Sequence, residues 1–341
     1  MELKVNNKKI DFFNKVAVNL QYDSVASDFG FDFLFDPNNP EHKELARPLQ
    51  YKNATLTHNN ETIITGTVLS HGFSSRSVKQ PAALSGYSLP GVLEDCQIPL
   101  STYPLQYNNL SLKQIIEKLI KPFGLKLEID ASVAARANAV YSTITANESD
   151  TVKEFITNLA AHKKIIVTHN AAGHLYLTEA KTNVSPIIKF HGQTPYEAMR
   201  LSVNGQQMNS EIHAIKQASV KHPNAGQANK KNPLVGAYRP KTIQQTKGTD
   251  NDTEYVADKA LNNQLRNIKL TIELTTWVVD GKILRPNNTV SVVEPELYLY
   301  NPATFFIESV ALEGDNVAQK ATLTCVPPEA YTHLTPKNMF A

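Results

Sequence analysis

A run of strict alternation leading to the only tryptophan constrains this chain more than any other feature. Ile268, Leu270, Ile272 and Leu274 are apolar, and Lys269, Thr271, Glu273 and Thr275 between them are polar. A period of two is the pattern of a strand with one buried and one wet face. Residues 277–292 continue it as a strand, a polar turn and a second strand. Asp280-Gly281 makes the turn, because glycine tolerates the dihedrals of a tight reversal. Trp277 stands beside that turn as a large anchor, and Gly66 and Gly281 are the glycines assigned to backbone geometry. No residue of the stretch is of a bond-making kind, so the segment points to a scaffold.

At 341 residues the chain is long enough for two or three domains with real cores. No apolar run approaches the roughly 18 residues of a membrane span, so no stable membrane insertion is expected. The opening Met1-Glu2-Leu3-Lys4 lacks the apolar core of a secretion signal, which leads to the expectation of synthesis and retention in a cytoplasm. Cys96 and Cys325 match neither a metal nor a redox spacing. Free thiols are expected, with a disulfide between the two as the alternative.

The 34 basic and 32 acidic residues nearly balance, which argues against a dedicated nucleic-acid binder. One segment departs from that balance. No acidic residue lies between Glu211 and Asp250, while Lys216, Lys221, Lys230, Lys231, Arg239, Lys241 and Lys247 all fall there. A surface of one sign steers and orients an acidic partner, so these residues form a candidate docking patch, with a solvated loop and nucleic-acid contact as the alternatives. Proline, glycine, asparagine and glutamine dominate residues 222–236, so much of this basic loop is expected to be irregular.

The pattern along the chain is mainly β with α+β insertions. Short strands are expected around Val16, Val18 and Leu20, at residues 63–69 and at 83–87, with a helix start at Asp23-Ser24. Ser111 and Gln114 form a capping box, followed by the helical stripe Leu112, Ile115, Ile116 and Leu119. Pro122 ends that helix, and residues 125–129 form a strand. A second helix carries Val152, Phe155, Ile156 and Leu159, and a hairpin turns around residues 170–173. Strand 201–205, helix 253–265 and final strands at 304–312 and 321–326 follow. The domains expected are 1–100, a first β-barrel-like unit; 101–183, an α+β unit; 184–326, a second β-rich unit that includes basic loop 212–249; and a tail at 327–341.

Nothing in this pattern spells out catalysis. The glycine-rich phosphate and dinucleotide fingerprints and the serine nucleophile elbow are absent. His162, His169 and His174 fall at a helix end and a hairpin turn, where solvated polar residues are expected. Asp23 and Asp28 are read as helix-end carboxylates rather than an acid–base pair. No catalytic residue, cofactor or metal is expected, and the chain is read as not an enzyme.

Several ordered motifs resemble the Mu-like phage baseplate hub family. Residues 16–20 followed by 23–29 resemble its first strand and short helix, and Gly66-Thr67-Val68 its glycine-marked strand. Gly86-Tyr87-Ser88, running on to Asp95-Cys96, resembles a glycine-arginine-serine element before an acidic, cysteine-ending run, with Tyr87 in the arginine's place. Val203-Asn204-Gly205-Gln206 and Tyr238-Arg239-Pro240 resemble two further markers. Trp277, Gly281, Pro286 and Asn287 fall on a tryptophan–glycine–asparagine pattern, and the ending at 327–331 is also similar. The resemblance implies a tail-hub architecture with two small β-barrel domains related by pseudo-symmetry. It also implies a homotrimeric ring that adapts a sixfold tail tube to a threefold central spike, with baseplate wedge proteins as further candidate partners. Its place would be the virion baseplate of a contractile tail, assembled in the bacterial host cytoplasm. Alternatives are a hub of a bacterial contractile injection system, a tail-associated cell-wall hydrolase and a glycan-binding module with Trp277 exposed.

Overall fold

Alternation in the first ninety residues builds an antiparallel sheet. β1 (Glu2–Val5), β2 (Lys8–Ile10), β3 (Phe13–Gln21), β4 (Asp28–Phe33), β5 (Asn53–His58), β6 (Glu61–Gly72) and β7 (Ala82–Ser88) are its strands, and α1 (Pro40–Leu45) is the helix between β4 and β5. Val16, Val18 and Leu20 of β3 and Phe29, Phe31 and Phe33 of β4 are buried, as period-two patterning requires. Asn6-Asn7 joins β1 to β2, and Asn59-Asn60 joins β5 to β6. All four asparagines have positive φ, between 48° and 64°, the left-handed geometry of a two-residue hairpin. The computed structural model describes the chain apart from residues 11, 76–80, 193, 217–225, 246–251, 316, 333 and 341.

An α+β layer follows, with α2 (Val92–Asp95), β8 (Gln106–Ser111), α3 (Leu112–Ile120), β9 (Leu127–Ile129), α4 (Ala134–Asn138), β10 (Val140–Thr145), α5 (Val152–His162), β11 (Ile166–His169) and β12 (Leu175–Thr178). Ser111 Oγ accepts from Gln114 N–H while Gln114 Oε1 accepts from Ser111 N–H. Thr151 and Glu154 repeat that reciprocal cap at α5. Leu112, Ile115, Ile116 and Leu119 of α3 pack with Val152, Phe155 and Ile156 of α5 in one core. β11 and β12 form the expected hairpin, and β9 adds parallel to β12.

The chain divides into two compact units, the first comprising Met1–Glu179, Thr276–Leu284 and Val310–Ala321 and the second the rest. The second contains β13 (Ile188–His191), β14 (Ala198–Val203), β15 (Glu211–Lys216), β16 (Gly226–Lys231), β17 (Pro240–Gln244), α6 (Asp252–Leu265) and β18 (Ile268–Leu274). β19 (Val278–Val279) and β20 (Lys282–Ile283) belong to the first unit, and β21 (Thr289–Glu294) to the second. β22 (Leu299–Asp315) and β23 (Gln319–Val326) contribute residues to both. β15 lies between β16 and β17 in a three-stranded sheet. Ile212 and Ala214 of that sheet pack on Ala257 and Leu261 of α6.

Three expectations are corrected. The two β-barrels do not form. In the first unit the strand order is β22-β3-β4-β7-β6-β5-β1-β2, and in the second β14-β18-β23-β22-β21-β13. Closure needs a ladder between first and last strand, yet among the described residues β2 pairs only with β1, β14 only with β18 and β13 only with β21. The orders are also not copies of one another. The first runs antiparallel from β3 to β2, whereas the second ends in the parallel pair β13–β21. Residues 23–27 form no helix; Ser24 Oγ instead accepts from Ala26 N–H at 3.2 Å, a local turn that competes with helix. Finally, part of the basic segment expected as loop is strand, because β16 and β17 both find ladder partners in β15.

The α+β core can be tested by truncation. Ile116→Ala removes a fully buried side chain and is expected to cost about 3 kcal/mol in denaturant melts. Ser111→Ala removes only the cap and should cost about 1 kcal/mol.

Candidate functional site

Gly66 and Gly86 lie where β6 and β7 run together. A Cβ at Gly66 would sit 2.1 Å from the Tyr87 carbonyl oxygen, and one at Gly86 1.8 Å from that of Thr67. The Phe29 ring of β4 covers both, 2.7 Å and 3.1 Å from those positions. Here hydrogen was the only side chain that fits. Tyr87 O–H donates to Asp95 Oδ2 at 2.6 Å. Burial, then the Asp95 carboxylate, raises the Tyr87 phenol above its ordinary range, so it stays neutral and the bond persists. Its ring packs on Gly91. Cys96 is a half-buried free thiol whose carbonyl accepts from Val152 N–H at 3.0 Å, joining α2 to the start of α5.

Trp277 is fully buried. Its indole N–H donates to the carbonyls of Glu313 at 3.0 Å and Lys320 at 2.9 Å, one on each strand of the β22–β23 hairpin. Gly314 lets the ring approach, since a Cβ there would lie 2.7 Å from it. The His58 ring meets the indole edge-on at 5.5 Å. Asp280 and Gly281, with φ of 49° and 76°, form the left-handed turn between β19 and β20. This burial removes the exposed platform that a glycan-binding Trp277 would need.

In the second unit, Asn287 has φ of 62°, and its side chain accepts from Lys181 N–H at 2.8 Å. The Pro286 carbonyl accepts from Asn288 Nδ2. The basic residues of the same unit do not form one uniform patch. Lys216 is buried. Lys230 pairs with Asp258 at 2.9 Å and Glu254 at 3.2 Å of α6; hydrogen bonding to Asp258 holds its amine above the ordinary lysine value. Lys221 and Lys247 lie outside the described residues. Lys231, Arg239 and Lys241 are exposed. They gather at one end of the sheet, because Glu211 of β15 is opposite both Lys231 and Pro240. Arg239 donates to the carbonyls of Met208 and Gln206, which fixes its direction. Tyr238 beside it is 80% exposed.

Sequence reasoning missed two features. His169, expected as a solvated turn residue, is half-buried, and its Nε2 lies 2.6 Å from the buried Ser27 hydroxyl. Ser27 and Ser88 are themselves cross-bonded through backbone and side chain, so His169 is part of a polar seam between residues distant in sequence. Tyr298, in the turn between β21 and β22, and Tyr300, at the start of β22, are 61% and 59% exposed. Their rings meet at 5.2 Å and 71°, beside Glu294 and Glu296. Two acids followed by two tyrosines at every second position, 294, 296, 298 and 300, were the available signal. Among the described residues no group of three or more His, Cys, Asp or Glu could hold a metal ion. No helix there is long and apolar enough to cross a membrane.

Residues 90–179 match the family described as baseplate hub protein gp44-like, second domain. The chain is 24% identical over 183 residues to the baseplate hub protein gp44 of Escherichia phage Mu, a match that covers 54% of this chain and 46% of that relative. Its fold is similar to the 43 kDa tail protein of prophage MuSo2 from Shewanella oneidensis, with a TM-score of 0.83, 20% identity and coverage of 97% and 99% of the two chains. A tail protein from Neisseria meningitidis MC58 has the same fold at a TM-score of 0.78 and 18% identity, covering 97% of each chain. Residues 90–179 are thus similar to one domain of gp44-like baseplate hub proteins, and the fold as a whole is shared with two phage or prophage tail proteins.

Two measurements probe these packed points. Gly86→Ala should destabilise by about 3 kcal/mol through overpacking against backbone, while Gly205→Ala, with open space around it, should stay within about 0.5 kcal/mol. Emission from the single tryptophan should be blue-shifted in the native state, and Trp277→Phe should cost about 2 kcal/mol by leaving two carbonyls without their donor.

Proposed function

We propose that this chain is the central hub of a contractile tail baseplate, and that three copies form a ring joining the sixfold tail tube to the threefold spike. The observation that carries this is the match of residues 90–179 to the second domain of gp44-like hub proteins, within a fold that is similar to prophage tail proteins along nearly its whole length. A ring of three copies would present three equivalent patches of each unit to its neighbours. Equivalent patches bind equivalent patches only when rotation relates them. The ladder ends at β2, β13 and β14 are open among the described residues, and covering such edges by neighbours suppresses uncontrolled pairing. Gly66, Gly86, Tyr87, Asp95 and Cys96 would hold the first unit's geometry under load, with Trp277 and Gly281 as its anchor and turn. Pro286, Asn287 and Pro240 would fix turns of the second. Lys231, Arg239 and Lys241 form the exposed docking surface, toward the tube, spike, wedge or another copy. The hub would be made and assembled in the bacterial host cytoplasm and end in the virion.

Native mass spectrometry of the full chain, alone and with the tube and spike proteins of the same particle, tests this. The expected species has three copies of the chain and binds both partners. A chain that binds neither partner and never exceeds one copy at any concentration overturns the proposal.

A further inference from the structure

The second unit carries two surface features of opposite chemistry that its own core does not use. One is the tip between β21 and β22. Tyr298 and Tyr300 stand exposed there, Glu296 is exposed and Glu294 half-buried, and Tyr196 donates to Glu294 Oε2 at 2.8 Å. Tyr298 has φ of 62°, a left-handed backbone that is unfavourable for a bulky residue. Strain of this kind is retained where a side chain must be presented in a set direction. Aromatic faces beside carboxylates accept ammonium and guanidinium groups, by cation–π attraction and by charge-assisted hydrogen bonds. Exposed tyrosines at a fixed tip are also typical anchors of protein contacts.

The other feature is the basic end of the β15–β16–β17 sheet. Register places Lys231 of β16 and the start of β17 on either side of Glu211, with Tyr238 and Arg239 just before β17. Ser210 N–H donates to the Arg239 carbonyl, and Asn232 N–H to that of Ser210, so the approach to this end is held by backbone bonds. Arg239 uses two guanidinium N–H groups on the Met208 and Gln206 carbonyls. A guanidinium has five, so further donors are left for a carboxylate. The Glu211 carboxylate lies 3.4 Å from His213 Nε2.

From this complementarity we infer that the tyrosine–glutamate tip of one copy docks on the Lys231–Arg239–Lys241 end of the next copy, forming a copy-to-copy contact of the ring. This rests on the hub-ring proposal above and assigns one of its interfaces. The two halves differ, so the contact is head-to-tail. Such a contact generates a closed ring when the rotation allows, whereas a self-complementary patch would stop at a dimer. The same one-sign surfaces would orient approaching copies before they touch, with a rate that falls as salt rises.

The test is a charge-swap cycle in the full-length chain, read by mass photometry across a dilution series at low and high salt. Circular dichroism melts confirm that each variant is folded. The variants are Glu296→Lys, the double substitution Lys231→Glu with Lys241→Glu, and the combination of all three. Each reversed half alone should weaken trimer formation at least about tenfold, and the combined swap should recover most of that loss. Tyr300→Ala should weaken it without changing its salt dependence. If trimers form with unchanged affinity in every variant, the contact is wrong while the ring stands. If the single swaps leave the trimer intact but abolish binding of tube or spike protein, these surfaces face a different partner and the inference fails. A wild-type chain that remains monomeric throughout, and binds neither tube nor spike protein, overturns the ring itself.

Discussion

The β22–β23 hairpin is the constraint on which the rest of the structure depends. β22 is a single strand of 17 residues, and its residues are divided between the two compact units. Trp277 secures the far end of that hairpin by bonding a carbonyl on each strand. Gly314 supplies the close approach that the indole needs. Asp315 Oδ1 accepts from Val317 and Ala318 N–H at 2.7 Å, which holds the turn itself. Those two amides keep the Asp315 carboxyl below its ordinary value.

Under the proposed function, a hub in a contracting tail would have to transmit force without changing register. The first unit resists slippage in a way that needs no chemistry. Gly66 and Gly86 let β6 and β7 meet at a distance that forbids any other side chain, and Phe29 fills the space above them. A one-residue slip would drive a side chain into backbone and turn buried phenylalanines of β4 outward. The α+β layer adds a second rigid element, with two helices capped reciprocally at their N-termini and joined in one core. These features suit a part whose work is mechanical.

Local patterns were legible in the sequence. The Ser111–Gln114 box spans four residues and specifies its own geometry, and the α3 stripe follows from helical period alone. The Asp280-Gly281 turn was equally plain, because few residue pairs accept two consecutive left-handed conformations. Features that depend on distant partners were not legible. Asp23-Ser24 has the composition of a helix start, but Ser24 bonds within its own turn and Thr168 Oγ1 donates to the Ser24 carbonyl. β16, rich in asparagine, glutamine and lysine, is strand because β15 offers it a ladder. Barrel closure is likewise a property of sheet ends, and nothing in an alternating pattern says whether the first strand meets the last. His169 looked like any hairpin histidine, since Ser27 lies 142 positions away in sequence.

The most direct test of the central claim is a side-chain-resolution density map of the assembled particle at the junction of tube and spike. The account requires three copies of this chain around the tail axis, each contributing both units to the collar. Density that places the chain off that axis, or in a ring lacking threefold symmetry, would contradict it.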